Sequence, residues 1–272
     1  MPSHKAFPDR GKTGDTGFFI QETLIQVELW QLALLTLIGI AAGWLNVMAG
    51  GGSLLTVPAM LFMDVPAPVA NGTNRIAILA QNAVAVFTFF RKGFSNFKLS
   101  LSLALAASIG AYAGAHVGVR LDGEWFNRTL AFTMIAVMII MATGGINKQQ
   151  GGEEPQRLVL GHILMTAAGF WGGFIQIGVG FILMPILHRI LGLNLVLTNM
   201  HKVFIILIYT LVALLVFASQ LELLWWTGLA LATGNAIGGW LGAHTTVNKG
   251  APWINAVMYI ALTAFIIKLL FF

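Results

Sequence analysis

Cysteine is absent from this 272-residue chain, which excludes a disulfide framework, a thiolate metal site and a cysteine nucleophile. Charge is nearly as scarce. Asp, Glu, Lys and Arg make up 9% of the residues while 57% are hydrophobic, against about a quarter charged in an ordinary soluble domain. A water-exposed surface cannot be built from so few charges. Residues 29–63 and 223–247 contain no charged side chain, and residues 158–187 contain only His162 as a titratable group. Runs of this length can cross a hydrocarbon core about 30 Å thick, which takes roughly 20 helical residues. The excess of 15 basic over 10 acidic residues does not form one patch, so it points to membrane topology rather than to a nucleic-acid partner.

Acidic side chains are missing where a membrane protein would need them for cation or proton chemistry. All ten (Asp9, Asp15, Glu22, Glu28, Asp64, Asp122, Glu124, Glu153, Glu154 and Glu222) fall in the N-terminal segment or near predicted helix ends and loops. Pathways for cations and relayed protons are lined with buried Asp or Glu. Their absence points to an anion.

What is present is a repeat. With an offset of 127, Ala42-Gly43-Trp44 matches Gly169-Phe170-Trp171, Gly51 matches Gly178, Pro58 matches Pro185, and Asn74-Arg75 matches His201-Lys202. One inserted residue later, the stretch from Gly110 to His116 matches that from Gly238 to His244. Chance apolar composition does not pair Trp, Pro and His at one spacing, and such internal symmetry is common in transporters. The chain therefore divides into a polar tail (1–28), a first transmembrane module (29–146), a linker (147–157) and a second module (158–272). Hydrophobic segments are expected at about 29–49, 53–63, 72–90, 98–119 and 126–146, then at 158–177, 180–191, 198–218, 221–247 and 252–272. The fold class is an all-α polytopic membrane protein, each module with about four long helices and one short segment.

The short segments follow from arithmetic. As one helix, the uncharged run 29–63 would be about 50 Å long, too much for one crossing and too little for two. Clustered glycine marks the breaks, at Ala49-Gly50-Gly51-Gly52-Ser53 and at Ile177-Gly178-Val179-Gly180, because glycine disfavours continued helix. Pro58 and Pro185 are expected near the first turns of the short helices, where a missing N–H is tolerated. The loop with Arg91, Lys92 and Lys98 is basic, whereas its equivalent from Ser219 to Glu222 has no Lys or Arg. Equivalent loops of unlike charge point to opposite sides of the bilayer, hence to inverted repeats where each half crosses five times with its short segment counted; a re-entrant short segment is the alternative and leaves four crossings per half.

Two polar runs stand beside the breaks: Asn71, Gly72, Thr73, Asn74 and Arg75, and Thr198, Asn199, Met200, His201 and Lys202. The apolar stretches after them are short for a crossing, so the runs are expected to form first helical turns. A helix N-terminus offers free N–H groups and about half a positive charge. Arg75 and Lys202 would then face one another and hold an anion, with Gly51, Gly52, Ser53, Gly178 and Gly180 presenting backbone to it. The competing expectation is that both cations snorkel to lipid phosphates. His116 and His244, at matched positions, suit either proton coupling or helix contact. Gln81, Asn82 and Asn235 lie deep in predicted spans and either line a pathway or bond helices together.

Gly51-Gly52-Ser53-Leu54-Leu55-Thr56-Val57-Pro58 and Gly178-Val179-Gly180-Phe181-Ile182-Leu183-Met184-Pro185, followed by Thr73-Asn74 and Thr198-Asn199, resemble the sulfite exporter TauE/SafE family. The resemblance runs from about residue 30 to the C-terminus. It implies a permease of the bacterial or archaeal inner membrane for sulfite, sulfoacetate, thiosulfate or a related anion, with no cofactor and no catalysis. The family's repeat has the form Gly-x-Gly-Gly-Gly-Phe-x-x-x-Pro; here Ser53 stands for the last glycine of the first copy and Val179 for the middle glycine of the second. The alternatives are an anion channel, a carrier for carboxylates, and an intramembrane hydrolase using Ser53 and His116.

Overall fold

A computed structural model describes residues 29–94, 97–120 and 157–271, together with five isolated positions between 124 and 132. The tail, most of segment 126–146 and nearly all of the linker lie outside the described residues. Within them the fold is all helix: α1 (Leu29–Met48), α2 (Ser53–Leu61), α3 (Ala67–Arg91), α4 (Phe97–Val119), α5 (Leu158–Phe174), α6 (Val179–Pro185), α7 (Leu195–Gln220) and α8 (Trp225–Phe271). Helix α8 is two helices joined at Gly250, whose φ of 65° and ψ of −159° are not helical. By length and composition α1, α4 and α7 are each long and apolar enough to cross a membrane.

Both glycine breaks fall where expected. Gly50, with φ of 92°, ends α1, and Gly178, with φ of 71°, precedes α6; both values lie in the left-handed region that glycine enters without a Cβ penalty. The prolines are placed differently from expectation. Pro58 is the sixth residue of α2 and Pro185 the last of α6. Without an N–H, Pro185 cannot close its own helical bond, and the ladder widens after it into a π-helical turn, Ile186–Ile190, with Leu191 N donating to Ile186 O at 3.0 Å.

Helix starts are also earlier than the apolar runs suggest. Pro66 and Pro68 flank the first residue of α3, where fixed φ and missing N–H groups suit a first turn. Asn194 caps α7, its Oδ1 accepting from Leu197 N at 3.0 Å. The two polar runs therefore lie one to two turns inside their helices. They cannot supply free N-terminal N–H groups.

The packing obeys the repeat by exchange. The first helix of each half lies along the fourth of the other, α1 on α8 and α5 on α4, while α3 packs on α8 and α4 on α7. Small residues allow these approaches: a Cβ on Gly169 or Gly173 would strike the backbone of Ala107 or Ala111, and one on Gly234 or Gly238 that of Thr36 or Ile40. The equivalent helices α3 and α7 pack against each other in opposite directions. Gly72 and Arg75, early in α3, meet Phe217 near the end of α7, whereas Ala85 and Phe89 share a buried cluster with Met200 and Val203 near its start.

Polarity is turned inside out. Leu37, Phe87, Ile109, Leu215 and Trp226 are exposed, each by at least 60%, while Asn71, Thr73, Asn74, Arg75, Asn199 and Lys202 are fully buried. Lipid accommodates such an outer surface and water does not.

Candidate functional site

The two glycine breaks touch each other at the centre. A Cβ built on Gly50 would lie 2.5 Å from both the Cα and the carbonyl carbon of Gly180. Backbone meets backbone there, and α2 and α6 both begin within three residues of the contact. A Cβ on Gly51 would lie 2.7 Å from the Phe181 ring. Gly52 donates its N–H to Asn46 Oδ1 at 3.4 Å, and Ser53, buried, opens α2.

The cations sit at the carbonyl ends of the broken first helices. Arg75 donates from Nη1 to Gly172 O at 3.0 Å and Gln176 Oε1 at 3.3 Å, and from Nη2 to Gly173 O at 2.5 Å and Asn71 Oδ1 at 3.5 Å. Asn71 Nδ2 donates to Phe174 O at 2.9 Å, and Trp171 O accepts from Ile175 N at 3.0 Å. All four terminal carbonyls of α5 thus have partners, an end that otherwise leaves four acceptors unsatisfied. Lys202 takes two of the terminal carbonyls of α1. Its Nζ donates to Asn46 O at 3.3 Å, Val47 O at 2.8 Å and Asn199 Oδ1 at 2.7 Å.

Each half therefore caps the first helix of the other. A helix C-terminus carries about half a negative charge and favours a cation there, so these contacts oppose the expected arrangement at helix N-termini. Arg75 and Lys202 occupy the ends of different helices, Arg75 that of α5 and Lys202 that of α1. Neither snorkels; both are fully buried. The Arg75 guanidinium also lies 4.4 Å from the centre of the Phe217 ring, a cation–π contact. On Arg75 and its neighbour Asn74, two donors remain without a protein partner: Arg75 Nε and Asn74 Nδ2. Asn74 is held from its other atom, accepting from Thr56 Oγ1 at 2.6 Å.

The remaining candidates separate. Thr73 Oγ1 accepts from Leu224 N at 3.2 Å, fastening α3 to the start of α8. Thr198 Oγ1 donates to Leu193 O at 3.4 Å and Asn199 Nδ2 to Thr246 Oγ1 at 3.4 Å. His201 turns toward α4, its Nδ1 2.7 Å from Ser100 Oγ. His116 and His244 lie half-buried on the flanks of α4 and α8. Each donates from Nδ1 to the carbonyl one turn earlier, of Tyr112 and of Trp240, and rests on that aromatic ring. Both contacts stay within the histidine's own helix, and among the described residues no hydrogen bond joins His116 to Ser53.

Gln176 was not singled out from the sequence. It lies beside the second break at φ of 62°, and links Arg75 to Tyr209 and Thr210, donating from Nε2 at 3.3 and 3.5 Å. A lone glutamine inside an otherwise apolar run was the signal for it.

Apolar flanks, buried polar runs, broken helices and a duplicated module define a polytopic membrane transporter. The chain belongs to the sulfite exporter TauE/SafE family, which matches it over residues 35–269. It is 28% identical to a probable membrane transporter protein, ORF9, of Sinorhizobium sp., over 88% of this chain and 92% of that one. A probable membrane transporter protein of Haemophilus influenzae is 26% identical over 84% and 90% of the two chains. The probable membrane transporter protein YfcA of Escherichia coli K12 is 23% identical over 92% and 93%. No solved structure matches. The protein is an integral protein of a bacterial membrane.

Proposed function

We propose that this chain is a permease for a small sulfur-containing oxyanion or organosulfonate, such as sulfite, thiosulfate or sulfoacetate, bound near the crossing of the two breaks and moved by alternating access. The observation that carries the reading is the pair of fully buried cations whose hydrogen-bond acceptors are all neutral oxygens. A cation at the bilayer centre costs about 3 kcal/mol on insertion scales. The carbonyl end of a helix offsets roughly half a charge. An anion would offset the rest, and Arg75 Nε and Asn74 Nδ2 are the donors left to meet it. The remaining polar groups, Asn71, Thr73, Thr198, Asn199 and His201, hold the helices that frame the site. The solute leaves unchanged; no step of covalent chemistry is proposed.

A panel of sulfite, thiosulfate, sulfoacetate, sulfate, phosphate and acetate at equal ionic strength tests this on purified protein. The three sulfur anions named first are expected to raise the melting temperature and the others not. Stabilisation by acetate alone would move the protein to carboxylate transport.

The modules 29–146 and 158–272 are further proposed to be inverted in the bilayer, on the unlike charge of equivalent loops and the antiparallel packing of α3 on α7. Lys92 and Ser219 are both exposed, and the chain has no cysteine to give background labelling. Single cysteines at these positions should react with an impermeant reagent from opposite sides. Labelling of both from one side would refute inversion.

A further inference from the structure

Two carboxamides at the junction of α1, α3 and α8 are buried without a protein partner on any polar atom. Gln81 is 1% exposed and Asn235 0%, and neither the oxygen nor the nitrogen of either side-chain amide makes a hydrogen bond. They are neighbours. A Cβ on Gly239 would lie 2.7 Å from Gln81 O and 2.9 Å from its Cγ, and Asn235 is one turn earlier on α8, about 6 Å along the axis. At that level α8 is pressed against α1, where a Cβ on Gly43 would lie 2.9 Å from Asn235 Cα.

Helix packing alone does not require these amides, and the repeat supplies the control. The equivalent junction of α5, α7 and α4 carries Ile208 where Gln81 stands and Ala107 where Asn235 stands. There Ala107 packs by its backbone on Gly169 and shares an apolar cluster with Tyr209 and Ile206. The same kind of seam is thus built with apolar side chains at both of these positions. Nor do Gln81 and Asn235 bond the helices together, since they bond to nothing in the protein. Burying an amide unpaired is unfavourable, whereas replacing it with an apolar side chain of similar shape is nearly neutral or stabilising. A sequence that keeps both amides at this junction keeps them for a partner that is not protein.

We infer that Gln81 and Asn235 form a hydrated polar station on the solute route, at the α1–α3–α8 junction and not at its repeat equivalent, that receives water and small oxygen-bearing solutes. Carboxamides offer both donors and acceptors, so the station accepts an oxyanion through N–H and a hydroxyl or water through C=O without placing a charge in the route. Its assignment to anions rests on the proposed function above; its hydration does not.

Asn235→Cys and Ala107→Cys, each made in the naturally cysteine-free chain and reconstituted into vesicles, test it with 2-aminoethyl methanethiosulfonate, a small charged reagent that reaches thiols through water. Asn235→Cys should be modified on the order of tenfold faster or more, because a buried apolar position is reached only through local opening. Sulfoacetate, a sulfonate that does not react with the reagent, should slow that reaction. Modification that sulfoacetate does not slow would keep the hydrated route and reject the sulfur-anion assignment. Equal slow rates at positions 235 and 107 overturn the inference, and Gln81→Met guards against a folding artefact. That variant should melt at or above the wild-type temperature while passing less solute; wild-type flux would also overturn it.

Discussion

A single methyl group at Gly180 will destabilise the protein by about 3 kcal/mol or more, at the upper end of what overpacking produces. The added Cβ would collide with Gly50 Cα and lie 2.8 Å from Gly50 O. These are backbone atoms of the other half. A side chain can rotate away from an intruding methyl, but Gly50 is fixed at φ of 92° in the turn that ends α1. Alanine is otherwise better than glycine inside a helix by about 1 kcal/mol, so the measured loss is the clash less that gain. Gly228→Ala is the matched control. There the new Cβ meets only the Ile76 side chain, closest at Cδ1 and next at Cβ, 3.3 Å away, and the flexible end that makes the closest contact can move. Thermal unfolding of the purified variants in detergent decides the point: Gly180→Ala should melt well below wild type and Gly228→Ala close to it. Equal melting would mean that the two breaks separate freely and do not brace one another.

How far this centre could be read in advance depends on the range of the interactions that make it. The breaks at Gly50 and Gly178 were legible because a run too long for one helix and too short for two must interrupt, and glycine says where. Helix starts were legible in principle. Pro66, Pro68 and Asn194 are ordinary first-turn and capping residues, yet counting apolar residues alone placed the start of α3 at residue 72 and left the polar runs at helix ends. That shift reversed the electrostatics, because the same Arg75 one turn deeper reaches a neighbour's carbonyls rather than its own helix's N–H groups. The partner was not legible at all. Gly172 and Gly173 are 97 and 98 residues from Arg75, and Val47 is 155 from Lys202, and no local pattern announces bonds of that span. The repeat shows that Arg75 and Lys202 are equivalent. It does not show that each caps the other's module.

Arg75→Lys is expected to separate the two duties of this side chain. Lysine is a tested solution for the capping duty, since Lys202 already holds two terminal carbonyls of α1 with its ammonium group. A lysine at position 75 can bond Gly172 O and Gly173 O in the same way, so the helix end stays satisfied and the variant should fold. The anion duty differs. An ammonium spent on two carbonyls and an amide oxygen has no donor left, whereas the guanidinium keeps Nε and its planar fork is not reproduced by a point charge. Losing one charge-assisted hydrogen bond, about 1.5 to 3 kcal/mol, weakens sulfite or thiosulfate binding by roughly ten- to a hundredfold. Arg75→Gln removes the charge as well and leaves carbonyls of α5 unpaired, each worth about 1 to 3 kcal/mol when buried, so it should lose stability and affinity together. Dissociation constants and melting temperatures measured on the same preparations resolve the question. If Arg75→Lys binds sulfite and thiosulfate as wild type does, the guanidinium is a helix cap and the anion is held elsewhere. If it melts as wild type while binding at least tenfold more weakly, the Nε donor belongs to the solute.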